Sequence, residues 1–347
     1  MSLFQIGQQL SGRYEVTAEL AGGSFGVVYV AHDLISGDRV ALKTLQPSAL
    51  ANDELLQRFT REAEIGAQLQ HPNVARLRDL DALTSADGQR SIPFLVFDCV
   101  PGVALGSVLR TRGSLRLDES VHVMDAVLGA LDAAHRIGVL HRDLKPDNVL
   151  AIPPESLRGD PRESGTVSGT LGLPELDDAV WQDLTACTPM VVDFGLGKLL
   201  EIGDRQVQPL TRAGVAAGTA HYISPEQVRA LTVDYRADLY GAAMLWLALL
   251  LGRAPYEGRT AMDVAMQHVS APLPDLPASI ASHALAEVLS KAAEKNPADR
   301  YNSAGEMRWA MQSALDPTRS LAKPVITPPP AIRPTGPLKR LKRWLRG

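Results

Sequence analysis

Hydrophobic and polar positions alternate in short runs over the first hundred or so residues of the chain. The runs Val27–Val30 and Arg39–Leu45 have the roughly twofold period of β-strands and are separated by turn residues. Residues 13–45 are therefore predicted to form an antiparallel meander. Two further strands are predicted around Val74–Ala82 and Phe94–Val100.

Helical spacing interrupts these strands once and then dominates the rest of the chain. A first helix is predicted to begin at Asn52 or Asp53, both good cap residues, and a second to follow a cap at Asp118. A central apolar helix is predicted over Asp238–Leu251, ended by Gly252. One face of the first predicted helix carries Leu55, Phe59, Glu62 and Gly66. The pattern favours an α+β protein in which a small β-rich lobe precedes a larger helical lobe.

Two segments differ from this pattern in composition. Residues 153–189 are rich in Pro, Gly, Ser and acidic residues, with one helix-like patch at Pro174–Leu184. Residues 317–337 contain seven prolines, which is the composition of a linker. The following residues, 338–347, alternate leucines with cations and would form a basic amphipathic strip as a helix.

Composition excludes several classes of protein. The 347 residues include only two cysteines, Cys99 and Cys187, which rules out a disulfide scaffold or a four-cysteine zinc site and favours a reducing compartment. The longest apolar run, Leu239–Leu251, has 13 residues, fewer than the roughly 20 that a membrane span needs. The first residues show no secretory signal pattern. A cytoplasmic location is therefore expected.

Charge is distributed unevenly along the chain. The 35 Lys and Arg residues against 39 Asp and Glu residues give a net charge of −4, but residues 317–347 hold eight of the basic residues and no acidic one. The remaining chain therefore carries −12. An acidic body argues against a general nucleic-acid binder, whose footprint is basic, so no nucleic-acid partner is expected.

The first candidate for chemistry is a glycine-rich hairpin, Leu20–Val28, between two predicted strands. Glycines let backbone N–H groups approach phosphate oxygens, although most glycine-rich turns are only turns. The following strand carries Lys43, and a lysine on the inner face of a sheet needs a partner. Glu62 on the next helix is a candidate for that partner, or it is one surface carboxylate among several.

The strongest signal is the run His141-Arg142-Asp143-Leu144-Lys145-Pro146-Asp147-Asn148. It places a carboxylate, a cation two residues later and an amide five residues later on one tight loop. These groups suit a general base, a phosphate contact and a metal ligand. Asp193-Phe194-Gly195 follows an apolar strand and supplies a second carboxylate for a divalent cation.

With these motifs in order, the sequence over residues 13–315 resembles the eukaryotic-type (Hanks-type) protein kinases and is similar to the bacterial Ser/Thr kinases among them. Ser224-Pro225-Glu226 resembles the end of the activation segment, Asp238 resembles the buried aspartate of the central helix, and Arg300 would pair with Glu226. The resemblance implies a two-lobed protein-kinase fold. Its expected parts are an N-lobe at 1–100, a C-lobe at 101–316 with an insertion at 153–189, a proline-rich linker at 317–337 and a basic tail at 338–347.

The resemblance also implies a role for each matching residue. Asp143 would accept the proton of the substrate hydroxyl, and Lys145 would contact the transferring phosphoryl group. Lys43, oriented by Glu62, would hold the α and β phosphates of ATP. The ligands of Mg²⁺, or of Mn²⁺ in its place, would be Asn148 and Asp193. The nucleotide would be lined by Ala21, Gly22, Gly23, Ser24, Phe25, Gly26, Val28, Ala41, Lys43, Asp98 and Val100, with Phe97 as gatekeeper.

The activity implied is that of a Ser/Thr protein kinase, because Lys145-Pro146 after the catalytic aspartate is the Ser/Thr pattern. Protein substrates and autophosphorylation follow from it. A pseudokinase-type scaffold is the alternative, and the presence of all four residues that such proteins tend to lose argues against it: Lys43, Asp143, Asn148 and Asp193. Regulation would involve phosphorylation of Thr211 opposite Arg142, while Thr219 would contact Asp143 and Lys145 as a structural residue.

Three features leave alternatives open. Ala21 stands where the family has its first loop glycine, which would be strained if that position needs a left-handed backbone. The insertion is either a tolerated surface loop or an acidic docking element. The tail at 338–347 is an anchor to an anionic membrane, which would hold the protein at the inner face, or a lid on the acidic body, or a solvated tail. Neither the oligomeric state nor the physiological substrate is predicted.

Overall fold

The computed structural model describes residues 3–22, 26–45, 52–84, 91–155, 183–194 and 219–316. The strands in these ranges are β1 Gln9–Leu10, β2 Tyr14–Gly22, β3 Gly26–Asp33, β4 Arg39–Leu45, β5 Leu77–Thr84, β6 Ser91–Asp98, β7 Val103–Ala104, β8 Val149–Ile152 and β9 Thr188–Val191. The helices are α1 Asp53–Gly66, α2 Leu105–Arg112, α3 Leu117–Arg136, α4 Pro225–Val228, α5 Arg236–Leu251, α6 Ala261–Ser270, α7 Ala278–Ala281, α8 Leu285–Ala292 and α9 Ala304–Leu315.

An antiparallel sheet in the order β1-β2-β3-β4-β6-β5 forms the N-terminal lobe. Strands β2, β3 and β4 pair consecutively, which confirms the predicted meander. Alternate residues of each strand face opposite sides of the sheet. One side buries an aromatic group in which Phe94 makes edge contacts with Phe4 and Tyr14 at ring-centroid distances of 5.9 Å. The other side packs on α1.

The bounds predicted for β5 and β6 were wrong by a few residues. Strand β5 begins at Leu77 because Val74 makes an isolated parallel bridge with Val191 of the other lobe. Strand β6 ends at Asp98, and Val100 packs with Leu150 and Ile152 in a small cluster between the lobes. Val74 and Val100 thus belong to the contact between the lobes and not to the sheet.

Helix α1 lies against the sheet through Phe59, which belongs to the predicted face, and through Ala63, which does not. Phe59 and Ala63 are buried with Leu45 and Leu95, which are neighbours on the same side of the sheet. Burying an aromatic ring of this size contributes about 2–3 kcal/mol. The contact holds α1 beneath β4, the strand that carries Lys43.

The C-terminal lobe is built around α5, which the sequence predicted as a buried helix. Every residue from Ala237 to Leu250 is buried, and α3, α8 and α9 pack around the same core. Gly252 ends the helix with φ +72°, and a Cβ at this position would lie 2.7 Å from the backbone nitrogen of Ser114. Glycine is therefore required there for both conformation and space.

The start of α3 differs from the prediction. The helix begins at Leu117 rather than after Asp118, because the carboxylate that caps it belongs to Glu119. Glu119 is fully buried and accepts hydrogen bonds from the backbone N–H of Arg116 (2.9 Å) and from the Arg112 guanidinium (3.0 Å). Burial would raise the pKa of this carboxyl, but Arg112 and the surrounding backbone N–H groups hold it below its usual range.

The same carboxylate fixes one end of the predicted insertion. Glu119 Oε1 accepts the backbone N–H of Leu184 at 3.0 Å, and Leu184 is buried in a 3₁₀ turn, Leu184–Ala186. Strand β9 begins at Thr188, so the last two residues assigned to the insertion 153–189 belong to the sheet of β7, β8 and β9. Residues 156–182, which include most of the helix-like patch Pro174–Leu184, lie outside the described ranges.

Candidate active site

The catalytic loop 141–148 is held by the central helix α5. Asp238, buried in its first turn, accepts the backbone N–H groups of His141 (2.8 Å) and Arg142 (2.7 Å) and also bonds His135 Nε2 at 2.9 Å. Burial would raise the pKa of Asp238, but these partners keep it below its usual range. The bonds stabilise Arg142 at φ +63°, a left-handed conformation that costs a non-glycine residue about 1–2 kcal/mol.

Three predicted site residues meet on this loop. Lys145 Nζ lies 2.8 Å from Asp143 Oδ2, and Asn148 Nδ2 donates to the carbonyl of Asp143 at 2.7 Å and to its Oδ2 at 3.2 Å. The 3₁₀ turn Pro146–Asn148 brings Asn148 back toward Asp143. A partly exposed carboxylate between a cation and an amide is thus fixed in one orientation, as a base for a substrate hydroxyl would need.

Asp193 reaches the same place from β9. Strands β8 and β9 pair antiparallel, and Val192 N–H donates to the carbonyl of Asn148 at 3.0 Å, so the residue that follows lies beside the loop. Asp193 adopts φ +62°. His141 supports this turn, because its Nε2 lies 3.1 Å from the carbonyl of Val192 and its ring packs on Phe194 with centroids 4.8 Å apart.

Lys43 and Asp193 form an ion pair across the two lobes, with 2.8 Å between Nζ and Oδ1. Lys43 is largely buried (13% exposed) and Asp193 is more open (42%). Desolvation would raise the pKa of Asp193, but the Lys43 ammonium group outweighs it and the pKa lies below its ordinary value. The predicted pairing of Lys43 with Glu62 stays a prediction, since the side chain of Glu62 lies outside the described part of the chain.

The oxygen atoms of Asn148 and Asp193 fit a hard divalent cation. Because the amide nitrogen of Asn148 donates to Asp143, its Oδ1 is the end that faces away from that bond. Within the described ranges, no three His, Cys, Asp or Glu side chains gather as they would in a metal centre built from protein ligands alone. An ion here would therefore complete its shell with nucleotide phosphates and water, which is how Mg²⁺ is usually held in phosphate-transfer sites.

The structure explains two residues of the glycine-rich hairpin. Ala21 lies in β2 opposite Val28, so its backbone is extended and alanine carries no left-handed strain there. A Cβ on Gly26 would lie 2.1 Å from the carbonyl oxygen of Thr44, so this glycine is required for the close pairing of β3 and β4. Gly22 ends β2, and the turn residues Gly23, Ser24 and Phe25 lie outside the described ranges.

The predicted purine side of the cleft lies along β4 and β6. Ala41 pairs with Phe97, and Phe97 packs toward the α1 side of the sheet. The carboxylate of Asp98 is engaged by Arg78, which also bonds Asp38 at 2.7 Å. Asp98 would therefore contact a purine through its backbone rather than its side chain.

The regulatory residues are only partly described. Thr211 lies outside the described residues, and Thr219 begins the 3₁₀ turn Thr219–Tyr222 but its side chain is not among those described. Arg142 contributes its carbonyl to Gln227 Nε2 at 3.2 Å, which ties the catalytic loop to α4. The predicted buried pair of Glu226 and Arg300 is confirmed, with N···O distances of 2.7 and 2.9 Å.

His135 is a site residue that the sequence prediction missed. It supports Asp238 from α3, yet no spacing in the sequence relates two residues that lie 103 positions apart.

None of the helices within the described ranges has both the length and the apolar composition to span a membrane.

Comparisons with known proteins point to one family. The family model described as the protein kinase domain matches residues 14–314. The serine/threonine-protein kinase PknA of Mycobacterium tuberculosis is 31% identical over 326 residues, covering 94% of this chain and 66% of PknA. A probable serine/threonine-protein kinase PknB of Bifidobacterium longum is 34% identical over 309 residues, covering 86% of this chain and 39% of that protein. The crystal structure of the M. tuberculosis PknI kinase domain matches with a TM-score of 0.60 at 26% identity, covering 90% of this chain and 100% of that chain.

Proposed function

The chain belongs to the protein kinase domain family, and from this premise we propose that it transfers the γ-phosphate of ATP to Ser or Thr hydroxyl groups of proteins, its own included. The observation that carries the proposal is the convergence of Asp143, Lys145 and Asn148 on one loop with the ion pair of Lys43 and Asp193 beside it. The relatives are named Ser/Thr kinases, and the chain spans less than two thirds of the length of those relatives.

Each side chain has one task in the proposed reaction. Asp143 accepts the hydroxyl proton as the oxygen attacks, and its contact with Lys145 keeps the carboxylate oriented. Lys145 and Lys43 neutralise charge on the phosphate oxygens, which is most of what phosphoryl transfer requires of a protein. Glu62 orients Lys43 when nucleotide draws the lysine away from Asp193.

Asn148 and Asp193 would hold the metal ion. Mg²⁺ is the ion proposed, and Mn²⁺ suits the same oxygen ligands. When bound there, the ion would supply positive charge that offsets the charge developing on the phosphates. The Lys43 ammonium group, 2.8 Å from Asp193 Oδ1, lowers the pKa of this carboxyl and so favours the ionised form that a divalent cation needs.

The remaining site residues extend the proposal along the cleft. The hairpin at 20–28 covers the phosphates, and Ala41 with the backbone of Asp98 and Val100 contacts the purine. Phosphate on Thr211 would pair with Arg142 and order the activation segment, while Thr219 would contact the catalytic loop.

We keep the division into an N-lobe at 1–100 and a C-lobe at 101–316 as part of the proposal. A reducing, cytoplasmic location stays a prediction from the two cysteines.

The test is phosphate transfer by the purified full chain to histone, chosen because the acidic body attracts a basic acceptor. With Mg²⁺ and ATP, we expect phosphate on Ser and Thr of histone and of the kinase itself, and none on Tyr. A chain that binds ATP but transfers no phosphate with either Mg²⁺ or Mn²⁺ would instead be the pseudokinase-type scaffold.

The tail at 338–347 lies outside the described residues, and we propose that it binds an anionic membrane surface. Its leucines Leu338, Leu341 and Leu345 recur on one face of a helix, with Trp344 beside them and cations on the other positions. Vesicles containing phosphatidylserine should pellet the full chain at low salt and release it at high salt, because each cation near the surface contributes roughly 1 kcal/mol.

The control for this prediction is a variant that lacks residues 338–347. It should stay in the supernatant with vesicles of every composition and keep its activity on histone. If the deletion leaves binding unchanged, the tail is not the anchor. If the full chain binds no vesicle but the deletion raises its activity, the tail is an intramolecular lid; if neither changes, it is a solvated tail.

A further inference from the structure

A buried histidine outside the catalytic cleft lies against the turn 219–222, which precedes the Ser224-Pro225-Glu226 end of the activation segment. His268 is on α6 and is fully buried, and α6 packs against the 3₁₀ turn Thr219–Tyr222. Its ring is enclosed by Tyr240 and Tyr256, with centroid distances of 5.7 and 4.7 Å in edge-to-face geometry. None of the roles proposed so far uses this side chain.

The surroundings of the ring determine which of its nitrogens carries the proton. Burial, helped by the Lys295 cation, lowers the pKa of His268 to about 3, so the ring is neutral at pH 7. Its Nδ1 lies 2.9 Å from the hydroxyl of Tyr240. Burial raises the pKa of that hydroxyl well above its usual value, so Tyr240 keeps its proton and can donate it to Nδ1.

The proton of the neutral ring then lies on Nε2. The hydroxyl of Tyr256 donates to the carbonyl of Pro272 at 2.9 Å and accepts from Lys295 at 3.1 Å, so its proton is not directed at Nε2. The opposite tautomer would turn the lone pair of Nε2 toward the carbonyl oxygens of Ala220 and His221, which face the ring from the 3₁₀ turn. Two acceptors cannot bond, so Nε2–H facing carbonyls is the favourable arrangement.

This Nε2 lies near the carbonyl oxygens of Ala220 and His221 but makes no hydrogen bond of normal geometry within the part of the chain that the structure describes. A fully buried donor without a partner is costly, and such a donor in a native protein calls for an explanation. These two carbonyls belong to the segment between Gly218 and Ser224-Pro225-Glu226, where the resemblance to kinases places the substrate platform. A small displacement of that segment would complete the bond.

We propose that His268 is a positioning residue, whose Nε2–H donates to a main-chain carbonyl of the 219–222 segment when protein substrate docks and so holds the platform in its substrate-binding form. The proposal rests on the kinase activity proposed above. Tyr240 has the supporting task of fixing the tautomer from the opposite side of the ring.

The kinetic test compares three substitutions in the full chain with histone as substrate. His268→Leu should raise KM for histone by about 5- to 10-fold, the effect of losing one buried hydrogen bond, while KM for ATP and kcat change less than twofold. His268→Gln should recover most of this loss because its amide N–H reaches the position of Nε2. His268→Asn should not recover it, because its shorter amide reaches only the position of Nδ1.

Tyr256→Phe is the matched control, since it removes a hydroxyl from the same cluster that bonds Pro272 and not the platform. It should leave KM for histone unchanged. If His268→Leu is folded and has the wild-type KM, the proposal is wrong. It is equally wrong if Leu, Gln and Asn raise KM alike, because packing alone would then account for the effect.

A second measurement separates this proposal from the kinase activity. In the ¹⁵N spectrum of histidine-labelled full chain, assigned with His268→Gln, the ring of His268 should show a protonated Nε2 and an unprotonated Nδ1. Adding histone with a non-hydrolysable ATP analogue should slow solvent exchange of Hε2 by about fivefold or more, the ratio expected from one added hydrogen bond. A proton on Nδ1, or exchange that histone does not slow, overturns the positioning role, whereas absence of phosphate transfer by the wild type overturns the proposed function.

Discussion

Replacing Asp143 with Asn is expected to lower kcat for phosphate transfer to histone by about 10²- to 10⁴-fold, or about 3–5 kcal/mol of activation free energy. The substitution removes the only charge of the base and keeps its shape, so Lys145 loses an ionic partner while the carbonyl of residue 143 still bonds Asn148. The side chain is partly exposed, so the free energy of unfolding should change by less than about 1 kcal/mol.

Two further variants make this result specific. Asp118→Asn changes the same functional group at an exposed ion pair with Arg116 in the first turn of α3, and should retain full activity. Lys43→Met should also suppress transfer, but it should weaken ATP binding as well, which Asp143→Asn should not. Calorimetric titration with an ATP analogue distinguishes the two. An Asp143→Asn protein that is folded, binds nucleotide and keeps more than a tenth of the wild-type kcat would show that Asp143 is not the base.

The catalytic loop was predictable because its chemistry is contained in one contiguous run. Asp143, Lys145 and Asn148 lie within six positions, so a single turn brings them together whatever surrounds it. The central helix was predictable for a similar reason, since its apolar residues are continuous and Gly252 ends it. Local patterns of this kind specify the element and the groups that it carries.

Contacts between residues that are distant in the sequence were harder to predict. Lys43 and Asp193 were both predicted as site residues, but their ion pair depends on how the two lobes meet, 150 positions apart. Glu119 was overlooked as the cap of α3 because Asp118 is an equally good cap in the sequence, and only the approach of Arg112 and Leu184 selects between them.

The spacing of His268 in the sequence indicates that it is buried but does not identify its contacts. It lies four positions after Val264, so both share the buried face of α6. A histidine on an apolar face is usually a core residue with satisfied bonds, and the sequence contains nothing to show that Nε2 faces the 219–222 segment. That information lies in the packing of α6 on the turn, between residues 47 positions apart.

The largest loss of stability is expected from breaking the buried pair of Glu226 and Arg300. Arg300 is fully buried and Glu226 is 4% exposed. The guanidinium also donates to the carbonyls of Glu294, Arg236 and Lys295, at 2.7, 2.8 and 3.2 Å. Glu226→Ala would leave this cation buried without a counter-charge, which costs about 3–5 kcal/mol. For a domain of this size the expected fall in Tm is roughly 6–20 °C, measured by circular dichroism.

A surface pair of similar geometry provides the control. Arg308 and Asp125 also form two hydrogen bonds, at 2.8 and 2.6 Å, but their side chains are 38% and 34% exposed. Asp125→Ala should therefore cost no more than about 1 kcal/mol, because water can solvate the remaining cation. The double variant Glu226→Leu/Arg300→Leu should be less destabilised than Glu226→Ala, since it leaves no unpaired charge in the core. Equal losses for Glu226→Ala and Asp125→Ala would show that burial of the charge is not what makes the pair matter, and that the segment joining α4 to the core is held by packing instead.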